Sequence, residues 1–111
     1  MNILFVCSRN NWRSRTAETI FKDIQIHKVK SAGTENDARI RVTEKLINWA
    51  DLIFVMEKRH KQRLRDKFRF VVDDKKIITL DIEDNYQYMD PELIETLKAG
   101  VAPYLSEKSG E

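Results

Sequence analysis

Short, almost wholly apolar runs alternate along this chain with segments in which apolar residues recur every three or four positions. The apolar runs predict strands at 2–6, 26–30, 51–56 and 77–80. Helical spacing predicts helices that begin after the first run and near residues 42, 57 and 90. The faces expected to point inward carry Ala17, Ile20, Phe21 and Ile24; Val42, Leu46 and Trp49 or Ala50; His60, Leu64 and Phe68; and Leu93, Ile94, Leu97 and Val101.

Strands that are apolar on both faces and alternate with helices predict a parallel sheet covered on both sides. We therefore expect a three-layer α/β/α fold with a flavodoxin-like, four-stranded parallel sheet in the order 2-1-3-4. In this order the loop after the first strand lies where the strand order reverses, which is where such sheets bind ligands. The 111 residues predict one domain at 1–105, followed by a polar tail at 106–111 that frays.

The loop between the first strand and the first helix contains the only cysteine of the chain. It reads Cys7-Ser8-Arg9-Asn10-Asn11-Trp12-Arg13-Ser14. A loop that enters a helix presents unpaired N–H groups and the positive end of the helix dipole, which together hold an anion. Those amides and a nearby guanidinium also favour a thiolate. The pattern predicts a phosphate-binding loop in which Cys7 is the nucleophile.

Three side chains of this loop have residue types suited to phosphoryl transfer. Arg13 carries a planar fork that matches two phosphoryl oxygens and supports the charge on them. Ser14 can donate a hydrogen bond toward the sulfur, and it is also available to cap the first turn of the helix. The amide of Asn10 could tie the loop to itself or to a neighbouring segment.

The positions of Cys7, Asn10, Arg13 and Ser14 match, in order, the loop of the low-molecular-weight protein tyrosine phosphatases, which this chain resembles. A cysteine and an arginine at this spacing form a weak pattern alone, but similar segments recur along nearly the whole chain. They are Ala17-Glu18, Ser31-Ala32-Gly33-Thr34, Ala38-Arg39 and Asp51-Leu52-Ile53-Phe54-Val55-Met56. The resemblance implies hydrolysis of phosphomonoesters, in particular of phosphotyrosine in proteins or of small phosphate esters, through a phosphocysteine and without a cofactor.

The resemblance also assigns residues around the loop. Ser31 matches a serine that bonds the loop asparagine, and Asn36 stands where the family has a histidine that helps to fix the same asparagine, so both are expected to support the loop. Arg9 replaces a usual glycine, which implies either an ordinary φ or a strained arginine. Trp12 replaces a second cysteine of many members, so no disulfide can protect Cys7. The segment at 34–38 is short, which predicts an open pocket.

A leaving oxygen needs a proton, and the family supplies it from an aspartate in an Asp-Pro-Tyr motif after the fourth strand. Asp84 and Tyr86 fit that motif, with Asn85 in place of the proline. We take Asp84 as the general acid and expect Tyr86, with Trp12, to form a wall beside a substrate ring. Asp81 remains an alternative acid. Asp90, which precedes Pro91, is explained as the cap of the last helix.

Charge and composition bear on partners. Basic residues crowd the third helix, at Lys58, Arg59, Lys61, Arg63, Arg65, Lys67 and Arg69, although the net charge is only +2. This run is either a solvated face or a docking patch for an acidic or phosphorylated partner. Nucleic-acid binding is not favoured, because it needs exposed aromatic residues and Phe68 and Phe70 are expected in the core.

Several classes of protein are not favoured by the sequence. His27 and His60 lack metal-ligand spacing with Cys7, so no metal is expected. No apolar run could span a membrane and no signal-peptide pattern is found, and a lone cysteine is typical of the cytoplasm. Two other functions stay open: a cysteine phosphocarrier that resembles the IIB components of sugar phosphotransferase systems, and a module that binds phosphate without turnover.

Overall fold

A four-stranded parallel sheet forms the middle layer of the protein in a computed structural model that describes residues 1–22 and 27–109, with side chains as far as residue 105. Its strands lie in the order β2-β1-β3-β4, so the predicted order is confirmed. The strands are β1 (Asn2–Cys7), β2 (Lys28–Gly33), β3 (Leu52–Val55) and β4 (Lys76–Thr79).

Five helices are found among the described residues: α1 (Arg13–Phe21), α2 (Glu44–Trp49), α3 (Lys58–Lys67), α4 (Arg69–Val72) and α5 (Pro91–Ser109). The expected positions of Ile24 and of Ile26 fall outside the described residues. The backbone at 106–109 continues α5, while residues 110 and 111 are not described, so fraying of the tail stays a prediction. No helix of the described part is long and apolar enough to cross a bilayer.

Alternate residues of β1 supply two hydrophobic cores, one on each face of the sheet. Ile3, Phe5 and Cys7 face the core that α1 and α5 cover, and Leu4 and Val6 face the core that α2, α3 and α4 cover. Because both faces of the sheet are buried, residues 3–7 of β1 can all be apolar although their side chains alternate between the two faces. The central strand therefore ends at Cys7 with a helix layer on either side.

The inward faces of the helices are mostly as predicted. His60, Leu64, Leu93, Leu97 and Val101 are buried. Two expectations are corrected. The most deeply buried residue of α2 is Ile47, which was not among the residues predicted to face inward. The helix begins at Glu44 rather than near residue 42, and its inward face is shifted accordingly. Phe70 is 88% exposed rather than in the core, since it lies on the short, unpredicted helix α4. The position of Phe70 therefore gives no reason to disfavour nucleic-acid binding.

Asp90 caps α5. Its Oδ1 accepts hydrogen bonds from the backbone N–H groups of Glu92 at 2.8 Å and Leu93 at 3.4 Å, and Pro91 is the first helical residue. The predicted role as a cap is confirmed.

Candidate active site

The carbonyl groups of the loop after β1 are tied to the short segment at 34–39. Carbonyl oxygens of residues 7, 8 and 9 accept hydrogen bonds from the backbone N–H groups of Thr34, Glu35 and Arg39 at 2.9–3.0 Å. The Asn10 carbonyl accepts one from Nε of Arg39 at 3.1 Å. With four successive carbonyls held on one side, the loop amides are left to bind an anion.

Gly33 permits this close contact between the loop and its neighbouring segment. A Cβ atom on residue 33 would lie 2.5 Å from the carbonyl oxygen of Ser8 and 2.9 Å from the carbonyl carbon of Arg9. Any side chain here would push the loop backbone away. The glycine is therefore needed for space at the point where β2 ends beside Cys7.

Arg9, which stands where the family usually has glycine, has an ordinary backbone conformation. Asn10 has a φ of 60° and Arg9 is not among the described non-glycine residues with positive φ, so Arg9 carries no strain. Asparagine tolerates this left-handed region better than most residues. The Arg9 side chain pairs with Asp37 at 3.3 Å, and both groups are exposed.

Buried hydrogen bonds link the cysteine to two loop side chains. Oγ of Ser14 lies 3.0 Å from Sγ of Cys7, and the amide nitrogen of Asn10 donates to the same Oγ at 2.7 Å. The hydroxyl hydrogen of Ser14 can then be donated to the sulfur, its nearer neighbour, or to the carbonyl oxygen of Ala32 at 3.4 Å. Ser14 is not the cap of α1: that position is Trp12, which makes no side-chain capping bond. The hydroxyl group of Ser14 contacts the sulfur of Cys7 instead of capping the helix.

Arg13 is buried behind the loop and its guanidinium is held by two acceptors from other elements. Nη1 donates to the carboxylate of Glu57 and, at 2.7 Å, to the carbonyl oxygen of Ile82. Nε lies 3.8 Å from Oδ1 of Asp84. These contacts fix the plane of the guanidinium, so its charge is already placed at the site.

Glu57 and His60 form a capping box at the start of α3. The Glu57 carboxylate accepts from the His60 N–H, and Nδ1 of His60 accepts from the Glu57 N–H at 3.1 Å. Hydrogen bonds from Arg59 and then Arg13 lower the pKa of Glu57 to about 2, although burial opposes the shift. Burial, followed by the charges of Arg13 and Arg59, lowers the pKa of His60 to about 4. Glu57 is thus charged and His60 neutral at pH 7.

A small cavity of about 100 Å³ opens above these groups. It is lined by Cys7, Ser8, Arg9, Asn11, Trp12, Arg13 and Asp84. Of the two acid candidates, Asp84 lines the cavity and Asp81 does not. Trp12 also lies at the cavity, whereas Tyr86 does not line it and donates a hydrogen bond to Glu92 of α5 at 3.1 Å.

Among the described hydrogen bonds, neither of the two residues predicted to support the loop bonds to Asn10. Ser31 donates to the carboxylate of Glu18 on α1, and Asn36 is exposed in a neighbouring cavity. Asn10 is instead contacted by Ser14 and Arg39. The support from Arg39 was not predicted, although its place next to Ala38 in a matched segment was a usable signal.

Glu57 and His60 were also missed as site residues. They follow the third strand, which pairs directly with β1, so the carboxyl ends of both strands meet at the loop. A carboxylate directly after this strand, with a histidine three residues later, was the signal available in the sequence.

Comparison with known proteins gives concordant results. The pattern of the family described as low molecular weight phosphotyrosine protein phosphatase matches residues 2–49. No curated protein sequence matches the chain. A YwlE mutant from Bacillus subtilis superposes with a TM-score of 0.69 at 28% identity, over 96% of this chain and 99% of the other. A YwlE arginine phosphatase mutant with a phosphorylated active-site serine gives 0.70 at 26%, over 96% of each chain.

The chain is similar to the low molecular weight phosphotyrosine protein phosphatases, in sequence at residues 2–49 and in fold over nearly its full length. Together with a cysteine at the end of β1, these matches identify a cysteine-dependent phosphatase. The tyrosine phosphatase Wzb from Escherichia coli K30, solved in complex with phosphate, shares the same fold, with a TM-score of 0.77 at 19% identity over 96% of each chain. The shared fold and the loop geometry therefore both direct attention to the loop that contains Cys7.

Proposed function

We propose that the protein hydrolyses phosphotyrosine in proteins, or small aryl phosphates, through a phosphocysteine intermediate on Cys7. The observation that carries this proposal is the contact of 3.0 Å between Sγ of Cys7 and Oγ of Ser14, at the floor of a cavity that Arg13 also lines. A hydroxyl donor stabilises negative charge on the sulfur both before attack and when the sulfur leaves.

In the first step the Cys7 thiolate attacks phosphorus in line with the ester oxygen. An S–P bond forms, the P–O bond to the substrate breaks, and Asp84 gives its proton to the leaving oxygen. In the second step Asp84 takes a proton from water, whose oxygen attacks phosphorus. The S–P bond breaks, inorganic phosphate leaves, and the thiolate of Cys7 is restored.

The charge of the transferred phosphoryl group is balanced by groups that are already in place. Arg13 lines the cavity, and the carboxylate of Glu57 holds its guanidinium. We propose that the amides of the loop supply the remaining donors. Positioned donors of this kind supply most of the stabilisation in phosphoryl transfer. The lone cysteine needs a reducing compartment, and we propose the cytoplasm.

Trp12 is the wall that we propose for a substrate ring, because it lines the cavity and is partly exposed. Tyr86 is proposed for the outer part of that wall, on the strength of the motif match, since in this structure its hydroxyl bonds to α5. Ser31 is proposed as an indirect support, because its partner Glu18 pairs with Arg39, which bonds the loop. For Asn36 the family resemblance alone supports such a role.

A second candidate substrate is phosphoarginine. It is favoured by the solved structure described as an arginine phosphatase, which is 26% identical over nearly the full length of both chains. The same two steps apply, with a P–N bond in place of the P–O bond and a proton delivered to the leaving guanidine nitrogen. The aromatic wall at Trp12 favours the phosphotyrosine alternative.

The test is release of phosphate from matched peptides that carry phosphotyrosine or phosphoarginine, with reduced protein, chelator, and Cys7→Ser as control. Faster release from the phosphotyrosine peptide supports the leading proposal, and the reverse order supports the second. Stable phosphorylation of Cys7 without release would indicate a carrier. Phosphate binding with no reaction of either peptide would indicate a binding module.

A further inference from the structure

The His60 ring is a buried link between the phosphate loop and the start of α3. It is 1% exposed, its Nε2 lies 2.9 Å from Oγ of Ser8, and its Nδ1 lies 3.1 Å from the backbone nitrogen of Glu57. The two ring nitrogens thus contact the two segments that contribute Cys7 and the partner of Arg13. A buried polar ring with both nitrogens engaged is held in one orientation.

The hydrogen bonds fix the tautomer of this ring. A backbone N–H can only donate, so Nδ1 of His60 accepts from Glu57 and the single proton of the neutral ring is on Nε2. The Nε2–H group therefore donates to Oγ of Ser8, which acts as the acceptor. Neutral His60 is the form expected at pH 7, because burial lowers its pKa to about 4.

The direction of this bond determines what Ser8 can do. With His60 as donor, the hydroxyl hydrogen of Ser8 remains available for an acceptor of its own. Among the described residues no protein acceptor is found for that hydrogen, and Ser8 lines the cavity above Cys7. An oxygen of a bound phosphoryl group is the acceptor that this cavity would hold.

We propose that the Ser8 side chain is an additional donor to the bound phosphoryl group and that His60 is the positioning residue that orients it. This inference rests on the proposed function, because it needs a phosphoryl group in the cavity. The loop would then bind the phosphoryl group through the Ser8 hydroxyl in addition to its amides and Arg13. Donation from His60 also polarises the Ser8 hydroxyl and makes it a better donor.

The test measures the affinity for inorganic phosphate by calorimetry, and KM and kcat for an aryl phosphate. Ser8→Ala should weaken phosphate binding about tenfold, as expected for one hydrogen bond to a charged group. KM should rise with little change in kcat, since the bond is present in both ground and transition states. Ser8→Thr keeps the hydroxyl and should bind as the wild type does. Thr96→Ala, which removes a hydroxyl from α5, is the matched control.

Two replacements of His60 separate orientation from packing. His60→Asn keeps an acceptor near the position of Nδ1 but cannot reach Ser8, whereas His60→Gln places an amide near the position of Nε2. We expect weaker phosphate binding in His60→Asn, recovery toward wild type in His60→Gln, and no further loss when His60→Asn is added to Ser8→Ala.

Unchanged phosphate affinity in Ser8→Ala would overturn the inference, as would full additivity of the two changes. Equal losses in both His60 variants, matched by equal losses of thermal stability, would show that the ring only packs. If the wild type neither binds phosphate nor hydrolyses the ester, the proposed function itself fails. Normal hydrolysis with no effect of Ser8→Ala would remove this inference alone.

Discussion

The phosphate loop and the acid loop differ sharply in how their side chains are held. In the phosphate loop Cys7, Asn10, Arg13 and Ser14 are all buried, and four successive carbonyl groups are bonded to a neighbouring segment. In the acid loop, which we define as residues 80–90, the Asp84 side chain is 55% exposed and its ion pair within the site is a contact of 3.8 Å with Arg13.

This difference matches what the two halves of the reaction require. Stabilising the charge of a phosphoryl group depends on donors that are fixed before the ligand arrives. Proton transfer requires only that a carboxyl group reach the leaving oxygen, and exposed groups can do so by a change of rotamer. We therefore expect replacements in the phosphate loop to affect every substrate, and replacements in the acid loop to depend on the leaving group.

The largest effect is expected for Arg13→Lys. Lysine cannot reproduce the planar fork that contacts Glu57, Ile82 and the cavity, so kcat/KM should fall by about 10²–10³ for activated and unactivated esters alike. Steady-state kinetics on both ester types measure this loss. Arg15→Lys on the same helix is the control. If kcat/KM fell only for unactivated esters, the phosphate loop and the acid loop would not differ in the way we propose.

Asp84→Asn should give the opposite selectivity. An amide cannot supply a proton, so esters with poor leaving groups should slow by about 10²-fold and activated esters far less. The dependence of kcat on leaving-group acidity measures this. Asp81→Asn is the matched control, because Asp81 lies on the same loop but does not line the cavity. A steeper dependence in Asp81→Asn than in Asp84→Asn would move the acid to Asp81.

Lowering the pH should destabilise the contacts by which His60 joins the phosphate loop to the start of α3. The native pKa of His60 is about 4, lowered by burial and by Arg13, Arg59 and Arg63 despite Glu57, while its ordinary value is 6.5. Below pH 6.5 the unfolded chain binds a proton that the native protein does not, so the free energy of unfolding falls as pH drops from 6.5 to about 4. The loss reaches about 3 kcal/mol at most.

Urea unfolding across this pH range measures the effect, and His60→Asn should show a flatter pH profile between pH 4 and 6.5. Glu57 adds a further loss of stability at lower pH. Its pKa is about 2 in the native protein and ordinarily 4.5, so between these values the unfolded chain binds a proton that the native protein does not. A wild-type profile that stays flat down to pH 4 would contradict the assignment of a neutral, buried His60.

The smallest expected effect is that of Gly33→Ala. The added Cβ would press on the backbone of residues 8 and 9, so the free energy of unfolding should fall by about 1–3 kcal/mol and phosphate should bind less tightly. Calorimetry measures both. Gly100→Ala is the control, because its Cβ would meet only a side-chain carbon of Leu80 at 3.2 Å and alanine favours a helix. Equal effects of both changes would show that the loop is not sensitive to Gly33.

The sequence predicted the strands and the loop that follows β1 because local patterns indicate both, and the sheet order followed from the fold class that those elements predict. Apolar runs distinguish buried strands from helices, and a cysteine followed by Arg13 at the entry to a helix is typical of an anion-binding loop. Asp84 was harder to place, since its loop lacks the proline of the related motif and Asp81 lies three residues away.

Other features depend on contacts between distant parts of the chain. Glu57 and His60 reach the site because β3 pairs with β1. The predicted sheet order includes this pairing, but it does not show which side chains after β3 contact the loop. Ser14 has a residue type that suits a helix cap, but the sulfur of Cys7 competes for its hydroxyl. Phe70 was assigned to the core from its residue type, and the short helix α4 places it outside.

The most direct test of the central claim is capture of the phosphoenzyme. Reduced protein is mixed with an aryl phosphate, quenched rapidly in acid, and digested for mass spectrometry, with Cys7→Ser treated in parallel. We predict one phosphoryl group on the peptide that contains Cys7, formed before free phosphate accumulates. Release of phosphate with no modified Cys7, or at the same rate from Cys7→Ser, would contradict it.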